Sequence, residues 1–144
     1  MLRDLVSNLK GNSTLVPLVR TADANGVGVD LAGFRSAMIF ANVGASGDTL
    51  SATVKIELEV QHSDDNSTFV ACANADLSAS VVGTNLGTMA LIDAPGEASL
   101  LYVVGYKGQK RYIRVVANIT GTHSSGTSIS AIVVKGDPEQ APTS

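Results

Sequence analysis

Tryptophan is absent from this chain, and phenylalanine and tyrosine contribute three residues each. Aromatics make up only 4%, so a broad stacking platform for sugars or bases is not expected. A single cysteine, Cys72, excludes an intrachain disulfide and with it a disulfide-stapled secreted domain. Cys72 reads instead as a small buried hydrophobe. Lys and Arg number 10 against 13 Asp and Glu, a net charge of −3. No basic field is present to attract nucleic acid, so direct DNA or RNA binding is not expected. No apolar run approaches the roughly 20 residues that a membrane-crossing helix needs, and no membrane partner is expected. The opening MLRDLVSNLKGNSTLV carries charges where an export signal would need an apolar stretch, so no such signal is read.

What is there points to β structure. The 144 residues fit one domain with its own core. Hydrophobic residues are 44% and charged residues 16%, a balance that excludes a disordered chain. Valine outnumbers leucine, 17 to 13, and 15 Ser, 11 Thr and 14 Gly supply turns. Branched side chains fit a pleated surface.

TVKIELEV is the clearest strand. Val54, Ile56, Leu58 and Val60 alternate with Lys55, Glu57 and Glu59, which predicts one core face and one wet face. HSDDNST then turns the chain and FVACANAD returns, a hairpin with a longer loop. SAMIFANVG is apolar on both faces and reads as a buried strand. Pro17 lacks an N–H, so STLVPLVR belongs at a sheet edge or outside a sheet. LLYVVGYKG and KRYIRVVANIT read as two strands joined near Gly108 by a tight hairpin, and ISAIVVKG as the last strand. With less legible segments between, this predicts an antiparallel β-sandwich or jelly roll of about seven to eight strands.

The expected organisation is an arm over residues 1–12, a sandwich over 13–136 and a polar tail over 137–144. In the arm, Leu2, Leu5, Val6 and Leu9 stand at helical spacing. So short a helix is marginal alone. The stripe either orders on a partner or caps the open end of its own sandwich.

Reactive chemistry is sparse. His62, Asp64, Asp65 and Asn66 cluster in sequence, but a calcium loop needs six or more ordered oxygens, and no downstream Glu closes the shell. An Asx-type turn accounts for the cluster. No G-x-S-x-G elbow is present, and GYKGQKR lacks the G-x-x-x-x-G-K-[ST] phosphate loop. No catalytic activity, metal or cofactor is expected. Lys107, Lys110 and Arg111 form a cationic tip suited to an acidic partner surface.

VQHSDDNSTF followed by KRYIRV resembles the galactose-binding-like jelly rolls, in which a Ser-x-Asp turn precedes an aromatic and a later strand reads aromatic-Ile/Val-Arg. That resemblance implies Phe69 and Tyr112 packed inside the sandwich with Arg114 facing outward. A broader resemblance is to small structural proteins encoded in the head-gene region of tailed bacteriophages. ANGVGVDLAGFRSAMIFA at 24–41, the segment 57–69, VVGYKGQKRYIRVV at 103–116 and AIVVKGDP at 131–138 are similar, in order, to theirs. It implies a virion structural protein, foremost a capsid decoration or cement protein on the outer lattice, made in the host cytoplasm. The implied partners are the major capsid protein and further copies of this chain, a trimer being the simplest arrangement. The partner-binding residues expected are Leu2, Leu5, Val6, Leu9, Lys107, Lys110 and Arg111. A place at the head–tail joint or in the tail, or a carbohydrate-binding jelly roll, are the alternatives.

Overall fold

The computed structural model describes residues 4–80 and 83–140. Its strands are β1 (Lys10–Arg20), β2 (Ala24–Asn25), β3 (Val29–Asp30), β4 (Phe34–Ser46), β5 (Lys55–Ser63), β6 (Val70–Ala71), β7 (Thr88–Ile92), β8 (Leu101–Tyr106), β9 (Tyr112–Thr120) and β10 (Thr127–Pro138). Two short 3-10 turns, Asn74–Asp76 and Pro95–Glu97, complete the elements. All pairing between these strands is antiparallel.

One sheet has the order β1-β10-β4-β8, and the other runs β2-β9-β5-β6 with β3 on β9 and β7 on β5. Taken as one interrupted strand each, β2–β3 and β6–β7 reduce the set to eight. The pairing is then nested: first with eighth, second with seventh, third with sixth, fourth with fifth. That is one long hairpin rolled into two sheets, the jelly roll expected from the sequence.

The core lies between the sheets. Ile39, Ala41 and Val43 of β4 and Ile129, Ala131 and Val133 of β10 face Ile56, Leu58 and Val60 of β5 and Ile113, Val115 and Ala117 of β9. Cys72 is fully buried among them, and burial pushes its thiol up to about 12. Pro17 lies in β1, an edge strand whose register slips between Leu15 and Leu18, so the missing N–H removes no central ladder bond.

Several expectations are corrected. Residues 107–111 do not close a tight hairpin. β8 pairs with β4 and β9 with β5, so the segment steps from one sheet to the other. SAMIFANVG is central in its sheet but buried on one face only, with Met38 and Asn42 exposed. The arm forms no helix over its described part. Residues 6–8 make a single turn, with Val6 N–H donating to Asp4 Oδ1 at 2.9 Å and Asn8 N–H to the Leu5 carbonyl at 3.0 Å. β1 takes up residues 10–12 of the expected arm, and β10 runs through Pro138, into the expected tail.

Candidate functional site

Two regions carry the chemistry of the surface, and they contrast. The first is a polar lock built from motif residues far apart in sequence. Arg111 holds Asp30 in a two-pronged pair, at 2.9 Å from Nε and 2.8 Å from Nη2. The Arg111 guanidinium keeps the Asp30 carboxyl down at about 2. Lys135, buried at the end of β10, donates to the Asp30 carbonyl at 2.9 Å and lies 4.7 Å from the Phe34 ring centre. Lys110 pairs with Asp64. Asp65 accepts the Ser67 and Thr68 N–H groups at 2.9 and 2.8 Å and the Ser63 hydroxyl at 2.7 Å. This is the Asx-type turn, and the Thr68 amide leads the contacts that hold Asp65 below the usual carboxylate range.

Glycines leave room where these segments touch. A Cβ on Gly28 would lie 1.9 Å from Asn66 Oδ1 and 2.7 Å from the Phe69 ring, and one on Gly26 would lie 2.4 Å from both the Thr14 hydroxyl and the Val115 carbonyl. In the GVGVD run, Gly26 is thus set by close backbone approach, and Gly28 gives room to the Asn66 and Phe69 side chains.

The outer face of the sheet containing β5 and β9 extends this lock. Asn118 donates to Glu59 at 2.9 Å, Gln61 donates to Glu59 at 2.7 Å, and Arg114 donates to Gln61 at 2.9 and 2.7 Å. Arg114 then stacks 4.2 Å above the Phe69 ring centre. Glu57 accepts the N–H groups of Thr84 and Asn85 at 3.0 and 3.1 Å and pairs with Lys55 at 3.1 Å. Burial pushes its carboxyl up, but these partners prevail and hold it at about 2.

This corrects the reading of TVKIELEV. Glu57 and Glu59 are 1% and 6% exposed, because the segment around residues 83–88 lies over Glu57 while Gln61 and Asn118 close on Glu59. Phe69 and Tyr112 are also corrected. Both are half-buried outside the core, and Tyr112 shares the outer face with Arg114, two residues on.

The two histidines serve separate places. Lys110 N–H donates to the Tyr106 oxygen at 3.1 Å, and the same oxygen lies 3.0 Å from His62 Nδ1. Burial lowers the His62 pKa and pushes the Tyr106 hydroxyl up to about 12. His123 Nε2 lies 3.1 Å from the Thr120 carbonyl, and its Nδ1 lies 3.5 Å from Asp48.

The second region is apolar. Met38 and Phe40 of β4, Ile132 and Val134 of β10, and Leu101 and Val103 of β8 share the outer face of the other sheet. Phe40, Leu101, Ile132 and Val134 help line an open groove of about 510 Å³ there.

Of the expected partner-binding residues, Leu2 lies outside the described residues. Leu5 and Val6 are 68% and 79% exposed, and Leu9 is half-buried. The cationic tip is mostly neutralised by the protein itself, through Asp64 and Asp30. Lys107 is exposed and has no side-chain partner among the described residues. Sequence reading missed Lys135, which appears there only as a charge ending an apolar strand, and the groove, whose residues come from three strands. No protein-family profile matches the chain, and no curated protein matches it.

Proposed function

We propose that this chain is a structural component of a tailed-phage virion, seated as a decoration or cement protein on the outer capsid lattice. One observation supports the reading above others. The four stretches that resemble phage head-region proteins supply the partners of a single lock: Gly28 and Asp30, then Asp64, Asp65 and Phe69, then Lys110, Arg111 and Arg114, and finally Lys135. Residues matched in separate pieces of sequence therefore form one framework in space. A cement protein needs such a rigid body, together with surfaces left over for neighbours.

Leu5 and Val6, at 68% and 79% exposure, offer apolar surface suited to attachment. β1 begins at Lys10, so removing residues 1–9 spares the strand. We expect this truncation to keep the melting temperature while lowering occupancy on particles. Electron microscopy of purified particles tests the placement. Density for this sandwich repeated over the head lattice is expected. Density confined to the neck or tail would instead favour the head–tail position.

A further inference from the structure

The sheet β1-β10-β4-β8 has two edges, and among the described residues they are covered to different extents. Along β1, Pro17 has no N–H to offer, Arg20 Nη2 donates to the Val16 carbonyl at 3.0 Å, and Val27 N–H donates to the Thr14 carbonyl at 2.7 Å. The Thr14 hydroxyl donates to the Val27 carbonyl at 2.8 Å and accepts the Val115 N–H at 3.1 Å, which stitches this edge to the opposite sheet. Proline, register slips and capping side chains are the usual defences of an edge.

β8 has none of these along its first half. LYVVGY holds no charge and no proline. At its far end, Ser78 N–H donates to the Gly105 carbonyl at 2.9 Å and Gly105 N–H donates to the Ser78 hydroxyl at 2.8 Å. Both groups of Gly105 therefore point away from β4. By the two-residue alternation of an antiparallel ladder, so do those of Val103 and Leu101. Among the described residues, none reaches these groups from that side. The side chains of Leu101 and Val103 are 58% and 51% exposed, and Leu101 lines the apolar groove.

We propose that the β8 edge is a homodimer interface, in which β8 of a second copy pairs antiparallel with it across a two-fold axis. The register is restricted. Gly105 is already occupied by Ser78, so Leu101 of each copy must face Val103 of the other, giving four backbone hydrogen bonds centred on Tyr102. A two-fold also sets the end of one β8 beside the start of the other. Lys107, exposed and without a side-chain partner among the described residues, follows one end. Glu97 precedes the other end in sequence. The antiparallel pairing brings Lys107 of each copy toward the Glu97 end of the other, whereas a parallel pairing would set like against like. The two grooves join into one apolar face. Such pairing is isologous and closes at two copies, so it gives a dimer and not the trimer that the resemblance suggests. The interface is independent of whether the protein sits on a capsid.

Sedimentation of the purified chain over a concentration series tests this. A dimer is expected for the unmodified protein. Val103→Lys and Leu101→Lys should each raise the dissociation constant at least about tenfold, since an ammonium would be buried against an apolar strand. Val103→Pro should do the same without added charge, because it removes only an outward N–H. Val16→Lys, on the β1 edge, should change nothing. Circular dichroism and melting confirm the fold of each variant. A monomer at all concentrations would overturn the proposal. So would a dimer indifferent to all three β8 variants, or one lost equally on Val16→Lys.

Discussion

The two outer faces of this sandwich are built from strands of opposite chemistry. Over β5 and β9, each polar group answers another: Asn118 to Glu59, Glu59 to Gln61, Gln61 to Arg114, Arg114 to the Phe69 ring. Over β4, β8 and β10, Met38, Phe40, Leu101, Val103, Ile132 and Val134 find no such cover among the described residues. The difference teaches where the protein is complete and where it is not. A face that satisfies itself gains little from a partner. An apolar face beside an open edge gains both burial and backbone hydrogen bonds.

The inner faces should behave alike, and this sets the scale. Leu58→Ala in β5 and Ile39→Ala in β4 both empty fully buried sites. Each should cost about 2–5 kcal/mol in denaturant unfolding. A much smaller loss at Ile39 would mean that the sheets differ in packing and not only in outer chemistry.

The outer faces should then part. Glu57→Ala strands the Thr84 and Asn85 N–H groups and should cost about 1–3 kcal/mol. Met38→Ala, on the open face of an isolated subunit, should stay within about 0.5 kcal/mol. Equal costs would erase the contrast.

Acid sharpens it further. Folding lowers the Glu57 carboxyl from 4.5 to about 2. Its stabilisation is therefore complete above pH 4.5 and is lost as pH falls through about 2. The advantage of the native chain over Glu57→Gln, followed by thermal melts, should shrink across that window. A constant difference would mean that Glu57 gains nothing from its charge.

The smallest effect is expected at the lock. The Arg111–Asp30 pair is about half exposed on each side. Asp30→Asn should cost no more than about 1 kcal/mol, less at high salt.

How much of this was legible follows from what each signal encodes. Alternation in β5 marks which residues share a face, and Ile56, Leu58 and Val60 are core as read. It carries no information about what lies above the other face. Glu57 was read as wet because its cover comes from Thr84 and Asn85, distant in sequence. Pro17 marked an edge because its missing N–H is a local fact. Residues 107–111 misled because a Gly- and Lys-rich connection looks the same whether the chain folds back or crosses to another sheet. The jelly-roll resemblance puts Tyr112 and Arg114 on opposite faces, although two-residue spacing puts them on one. In the candidate site, each ion-pair partner was visible as a residue, but no pairing was. Asp30 and Arg111 are 81 positions apart. The groove is not legible because its apolar lining is split over three strands, Phe40 from β4, Leu101 from β8 and Ala131, Ile132 and Val134 from β10.

Hydrogen exchange at the β8 amides tests the central contrast most directly, on the unmodified chain. Tyr102 and Val104 point toward β4 and should be protected at every concentration. Leu101 and Val103 point to the open edge. Their amides should exchange quickly in dilute protein and slow as concentration rises, while the β5 and β9 amides stay unchanged. Fast exchange of Leu101 and Val103 at all concentrations, or protection already complete in the dilute monomer, would contradict the account.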